Sequence, residues 1–195
     1  MKNTSHFKTA LLKATLFMAI FFICLHSHAQ ITQNQNKVII EQNNKKVDTT
    51  DRERDVTFLV DAANINLEEI LLGQLAQKKS TMPCIQALGK MMEEDHRKSQ
   101  NDLSALAKKK LIVIPTVPGD NAQDAYKKLS NESEIEFDKA YCDMMVNGHK
   151  AAIAEFEKAS IKCSDSDIAR FTKATLPDLH RHLSHAIDCQ KQVEK

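Results

Sequence analysis

The sequence has no tryptophan, and only four glycines, four prolines and 5% aromatic residues in a chain of 195. Sandwiches, barrels and glycine-loop nucleotide binders need turn residues and β-formers, so this scarcity argues against all three. Nor is there an excess of either charge, since 27 Lys+Arg stand against 26 Asp+Glu. That balance excludes a basic nucleic-acid footprint and a strongly acidic tail as the main business of the chain. There is no C-x-x-C, C-x-x-C-H, phosphate loop, Ser–His–Asp signature or zinc-peptidase helix motif, and no internal repeat. What the chain does have is 42% apolar residues, enough to bury a core. Composition therefore predicts one mostly helical domain.

The first residues read as an export address. Lys2, Lys8 and Lys13 precede an apolar run from Ala14 to Leu25, followed by Ser27-His28-Ala29. A basic n-region, an h-region and an S-x-A site predict cleavage after Ala29, leaving Gln30 first. The apolar run is shorter than the roughly 20 residues a bilayer span needs, so no transmembrane span is expected after cleavage. Lipid attachment at Cys24 is disfavoured because Ile23 stands where a small residue is required. The expected setting is the periplasm or the outer-membrane surface. Cleavage leaves 24 basic against 26 acidic residues and four cysteines, Cys84, Cys142, Cys163 and Cys189, an even number that an oxidising compartment could pair.

Residues 30–54 are polar and rich in Asn and Gln, with a brief Val38-Ile39-Ile40 patch, and read as a flexible leader. The bundle domain then covers residues 55–195. Four long amphipathic segments follow, at about 55–79, 83–110, 134–161 and 165–195, with a short helix around 122–129. Their seams are Phe58, Ala62, Ile65, Glu69, Leu72, Ala76; then Ile85, Leu88, Met92, His96, Ser99, Leu103, Leu106; then Phe137, Tyr141, Met145, Gly148, Ala152, Phe156; then Ile168, Phe171, Thr175, Leu179, His182, Ala186, Cys189. Four helices with one apolar seam each predict an all-α fold, a four-helix bundle.

Polar residues interrupt those seams. Glu69, His96 and His182 fall within apolar stripes, and His149 lies beside Gly148, where a missing side chain leaves room. Measured from a turn near 82, Glu69 and His96 lie about 13 and 14 residues away; from a turn near 164, His149 and His182 lie about 15 and 18 away. At ~1.5 Å per residue all four fall near mid-height. One polar group per helix at one level is how a bundle core holds a metal. Glu93-x-x-His96 adds a carboxylate on an adjacent face, the E-x-x-H step of di-iron bundles, but the fourth helix offers Asp178-x-x-x-His182 in place of a second one. A full two-metal site is therefore not expected; a mononuclear site of Glu69, His96, His149 and His182 suits Zn, Fe or Cu, with Glu93 as a further candidate ligand. A Glu–His network that satisfies itself by hydrogen bonds and fixes the register is the competing reading.

Weaker candidates accompany these. His180 points to a different helical face from His182, Met91-Met92 and Met144-Met145 read as core filler, and Lys108-Lys109-Lys110 suits a helix C-terminus. Among the cysteines, Cys142–Cys189 can pair in any topology. Cys84–Cys163 can pair only in a simple up-down-up-down arrangement, since a long crossover puts them at opposite ends.

Several spaced motifs in order resemble the bacterial Domain of Unknown Function 4142 family: Phe58-Leu-Val-Asp-Ala-Ala, Glu69, Leu75-Ala, Met91-Met-Glu-Glu-Asp-His96, Leu111 to Pro115, Phe137-Asp-Lys-Ala-Tyr141, Met144-Met-Val-Asn-Gly-His149 and Thr175-Leu-Pro-Asp-Leu-His-Arg-His182-Leu. The resemblance covers about 56–190 and implies an exported, ferritin-like bundle, commonly labelled an outer-membrane protein, with no established activity. Two functions stay open: transition-metal binding through the core, or a non-catalytic envelope or stress-related module, with an envelope protein as partner and a purely structural polar core. Redox catalysis ranks third, because only one E-x-x-H occurs.

Overall fold

A computed structural model of the chain describes residues 50–194, which form five helices and no strand. The expected export address, Cys24 and residues 30–49 of the expected leader lie outside the described residues. The helices are α1 (Thr50–Lys79), α2 (Pro83–Lys109), α3 (Asp120–Asn131), α4 (Glu134–Lys162) and α5 (Ser166–Val193). Among the described residues no helix is long and apolar enough to cross a membrane.

Each boundary has a local cause. α1 begins five residues before the expected Asp55, with Asp51 and Glu53 in its first turn, where carboxylates suit the helix dipole. Pro83 opens α2, the position at which a missing N–H costs nothing. Ser133 caps α4 by accepting from Glu136 N, and Asp165 caps α5 by accepting from Asp167 N at 2.9 Å and Ile168 N at 3.3 Å. α2 ends in a reversal: Ile112 N donates to Ala107 O, Leu111 N donates to Lys108 O, and Leu111 takes the left-handed conformation (φ 56°). That turn buries Ile112 against the core and leaves Leu111 exposed.

The hydrogen bonds at the two ends settle the topology. At one end Lys79 Nζ donates to Ser130 O and Thr81 Oγ1 to Glu134, which joins the α1–α2 turn to the start of α4. At the other end Arg54 donates to Lys162 O, and Lys109 and Lys110 reach Asp167, so the start of α1, the end of α2, the end of α4 and the start of α5 lie together. α2 and α4 therefore run in the same direction, and residues 110–133, including α3, travel the length of the bundle along α1. This is the long-crossover arrangement, and it excludes a Cys84–Cys163 pairing, because the two residues sit at opposite ends of the bundle. All four described cysteines are free thiols.

α1 and α2 approach closely at two glycines. A Cβ on Gly73 would stand 2.5 Å from Gly89 O, and one on Gly89 would stand 2.7 Å from Gly73 O, so neither position admits a side chain at this separation. The apolar interior has two halves. One holds Leu59, Leu103, Ile114, Phe156 and Ile168, and the other Leu72, Ile85, Leu129, Phe137 and Tyr141. Between them lies a polar layer.

Candidate metal centre

That layer contains Asn66 and Glu69 from α1, His96 from α2, His149 from α4 and His182 from α5, all buried. The seam of α4 runs through His149 (1% exposed) and not through Gly148, which is exposed. At 100° per residue adjacent positions compete for one face, and here the imidazole takes it. Gly148 instead passes over the Glu69 carboxylate, where a Cβ would lie 3.8 Å from Oε1.

The three imidazoles form the closest group, with one nitrogen from each lying within 4.8 Å of the other two. Ring centroids are separated by 5.2 to 5.8 Å. The other nitrogen of each ring is held from outside. His149 Nδ1 lies 2.9 Å from the carbonyl of Met145, which can only accept, so Nδ1 carries the proton. His182 Nε2 lies 2.9 Å from Asp95 Oδ2 and donates to it. His96 Nδ1 lies 2.9 Å from Asn66 Oδ1, and a longer relay sets its direction. The Pro115 carbonyl accepts from Gln100 Nε2, Gln100 Oε1 accepts from Asn66 Nδ2, and Asn66 Oδ1 is left to accept from His96. The crossover thus supplies, at Pro115, the acceptor that orients a ring in the core.

These outer bonds leave three lone pairs, on His96 Nε2, His149 Nε2 and His182 Nδ1, directed inward. His149 Nε2 and His182 Nδ1 face each other at 3.3 Å with no proton between them in the neutral rings. Protonation would supply one, but burial opposes it. His96 is held well below the ordinary imidazole value by burial and then by its two neighbours, His149 is lowered to about 4, and His182 is lowered by burial despite Asp95.

Glu69 stands beside this group, with Oε1 4.0 Å from His149 Nδ1, and its carboxyl is pushed up to about 8 by burial. Glu69 Oε2, His96 Nε2 and the Tyr141 hydroxyl are buried without a hydrogen-bond partner. Glu93 is elsewhere. It accepts from Gln74 and Gln77 at 2.8 Å and from Arg97, which together hold its carboxyl at about 2. The close approach of α1 at Gly73 offers it those amides, and the E-x-x-H spacing does not bring it to the core. His180 is exposed, and Met92 and Met145 fill the apolar half beyond the layer.

Asn66, Gln100, Asp95 and the Met145 and Pro115 carbonyls were not visible as site residues in the sequence. Asn66 has a local signal, being one turn before Glu69 on the same face, and Asp95 immediately precedes His96. Gln100 has the same kind of signal, one turn after His96 on α2, whereas Pro115 has none, since the crossover alone brings it to the layer. A cavity of about 140 Å³, bordered by Asp95, His96, Thr175, Asp178 and His182, leads from the surface to two of the rings.

No curated protein and no solved structure matches the chain. Residues 41–188 match the family model of a domain of unknown function, DUF4142, and on that match, which spans most of the sequence, the chain belongs to this family.

Proposed function

We propose that the protein binds one transition-metal ion through His96 Nε2, His149 Nε2 and His182 Nδ1. The observation that carries this reading is the facing pair of lone pairs at 3.3 Å. Two acceptors at that distance repel unless a cation lies between them. With Zn–N bonds of about 2.0–2.1 Å, two nitrogens of a tetrahedral site stand about 3.3 Å apart. A self-satisfying hydrogen-bond network would need a proton at this contact, and burial removes it. The outer partners of the rings, a carbonyl, a carboxylate and an amide, are the kind that fix imidazole tautomers around metals.

Three imidazoles suit Zn, Cu or Fe. Glu69 would supply counter-charge, because a neighbouring cation favours its carboxylate form. The crossover topology parallels ferritin-like proteins, which also hold metals at mid-bundle. The donors here are imidazoles with a single nearby carboxylate, which favours binding over two-metal oxygen chemistry. An exported setting is supported by the order of basic, apolar and small residues over 1–29.

The test uses untagged protein stripped with a chelator and titrated with Zn(II), then Co(II). One equivalent should bind, Co(II) should give the visible bands of a low-symmetry nitrogen site, and the melting temperature should rise and fall back on chelation. His96→Ala should lose uptake, and His180→Ala should keep it. Absence of uptake of Zn, Cu and Fe by the folded protein would overturn the reading.

A further inference from the structure

Three of the four described cysteines gather at the end of the bundle opposite Cys163. Cys84 lies in the first turn of α2, Cys189 in the last turns of α5, and Cys142 on α4 behind them. Cys84 and Cys189 border one cavity of about 290 Å³ together with Leu88, Met91 and His185. The register of α2 against α5 explains the meeting. Arg181 donates to Asp95 at 3.0 Å and to Asp178 at 2.6 Å, which sets Asp178 level with Asp95 across the antiparallel pair. Cys84 precedes Asp95 by eleven residues, and Cys189 follows Asp178 by eleven. At ~1.5 Å per residue both lie about 16 Å along the same direction, and so at one height.

We propose that Cys84 and Cys189 are a thiol pair that closes into a disulfide, tying the start of α2 to the end of α5. Cys84 is half-buried and open to the cavity, whereas Cys142 is fully buried and Cys189 nearly so. Exchange therefore begins at Cys84. Its thiolate attacks a small disulfide such as oxidised glutathione, one glutathione thiolate leaves, and Cys84 becomes a mixed disulfide. The Cys189 thiolate then attacks the Cys84 sulfur and displaces the second glutathione. Two protein thiols and one glutathione disulfide become one protein disulfide and two glutathione thiols, so electrons and protons balance. Cys189 borders the same cavity as Cys84, which gives the second step the advantage of an intramolecular reaction. Cys142 is fully buried and does not border the cavity that Cys84 and Cys189 share, which leaves it a poor competitor for either sulfur.

The consequence is a staple between the two helical hairpins. Cys84 belongs to the α1–α2 hairpin and Cys189 to the α4–α5 hairpin, so the bond closes a loop that includes the crossover. Such a link restricts the unfolded chain and should raise the melting temperature.

The experiment incubates the purified full chain with oxidised glutathione, blocks remaining thiols with N-ethylmaleimide, and maps tryptic peptides without reduction. The four described cysteines fall on separate peptides, 80–90, 140–150, 163–170 and 182–191. The expected product is monomeric protein with peptide 80–90 joined to 182–191, and a melting temperature raised by several degrees that dithiothreitol returns to its starting value. Cys84→Ser and Cys189→Ser should each abolish the link and the shift, while Cys142→Ser should retain both. A dominant 140–150 to 182–191 link, a lasting glutathione adduct at Cys84, or a Cys84-linked dimer would each overturn the proposal.

Discussion

At the end of the bundle where α5 begins, the buried Asp55 accepts hydrogen bonds from Ser164 N, Ser164 Oγ and Asp165 N, and Lys110 lies between Asp165 and Asp167. At mid-height, by contrast, Glu69 Oε2, His96 Nε2 and the Tyr141 hydroxyl have no partner. The two regions respond to their surroundings in opposite senses. Burial would raise Asp165, but Lys110 and the amides of α5 hold it below its usual range, and hydrogen bonds from Lys110 and Lys109 lower Asp167 as well. Lys110 is raised by the same contacts. At mid-height burial prevails, so the carboxyl of Glu69 rises and the imidazoles fall. A saturated cluster of charges clamps helix ends together. The buried cluster instead keeps its carboxyl and imidazoles neutral.

The largest effect expected from this contrast is at the clamp. Asp55→Ala removes a buried acceptor of three hydrogen bonds and leaves two amides at the entry to α5 unpaired, so urea unfolding should show a loss of about 3 kcal/mol. Its uptake of Zn(II) should be unchanged. If metal binding fell in proportion to stability, the two clusters would not be independent.

Proton linkage should sharpen the difference. Metal-free protein carries His149 at about 4 when folded and at the ordinary value of about 6.5 when unfolded, so the unfolded chain binds the extra proton as pH falls. The stability is present above pH 6.5 and drains away between there and about 4. For His149 alone the loss from pH 7 to 5 is on the order of 2 kcal/mol. Glu69 acts in the other direction: raised to about 8, it favours the fold below its unfolded value of 4.5, and this is lost as pH rises toward 8. Glu69→Gln should therefore remove the alkaline loss and expose a steeper acid loss in denaturant midpoints. A pH profile unchanged by Glu69→Gln would count against a neutral buried Glu69, and a Glu69→Gln protein whose stability did not fall between pH 7 and 5 would count against buried neutral imidazoles.

Next in size is the relay. Asn66→Ala should leave His96 in place but free its ring to turn, weakening Zn(II) affinity by about 10- to 100-fold with little change in helical content. The smallest effect belongs to the turn beside Lys110. Leu111 is exposed in a left-handed conformation, which costs a non-glycine residue about 1 kcal/mol, so Leu111→Gly should stabilise the metal-free protein by about 0.5 kcal/mol without altering metal uptake.

Much of the bundle was legible because seams and caps are local. The steps of three and four through Ile85, Leu88, Met92 and His96 declare a helix and its buried face, and Ser133, Asp165 and Pro83 mark where helices begin. The same locality explains the misplacements. Gly148 and His149 both lie near the seam of α4, and spacing cannot say which one turns inward. Glu93 has the spacing of a ligand, yet Gln74 and Gln77 on the neighbouring helix claim it. The crossover was undecided because residues 110–133 pack through only a few positions, chiefly Ile112, Ile114, Ala122 and Leu129.

By itself the sequence determined an all-helical chain and the placing of one glutamate and three histidines in otherwise apolar seams, because helical periodicity is a property of consecutive residues. Only the tertiary structure decided which of their atoms face one another. The Met145 carbonyl, the Asp95 carboxylate and the relay ending at Pro115 set the three tautomers, and two of those three restraints act across helices and loops far apart in the chain. Hydrogen-bond direction depends on what packs alongside, and that is known only once the crossover has been laid against the core.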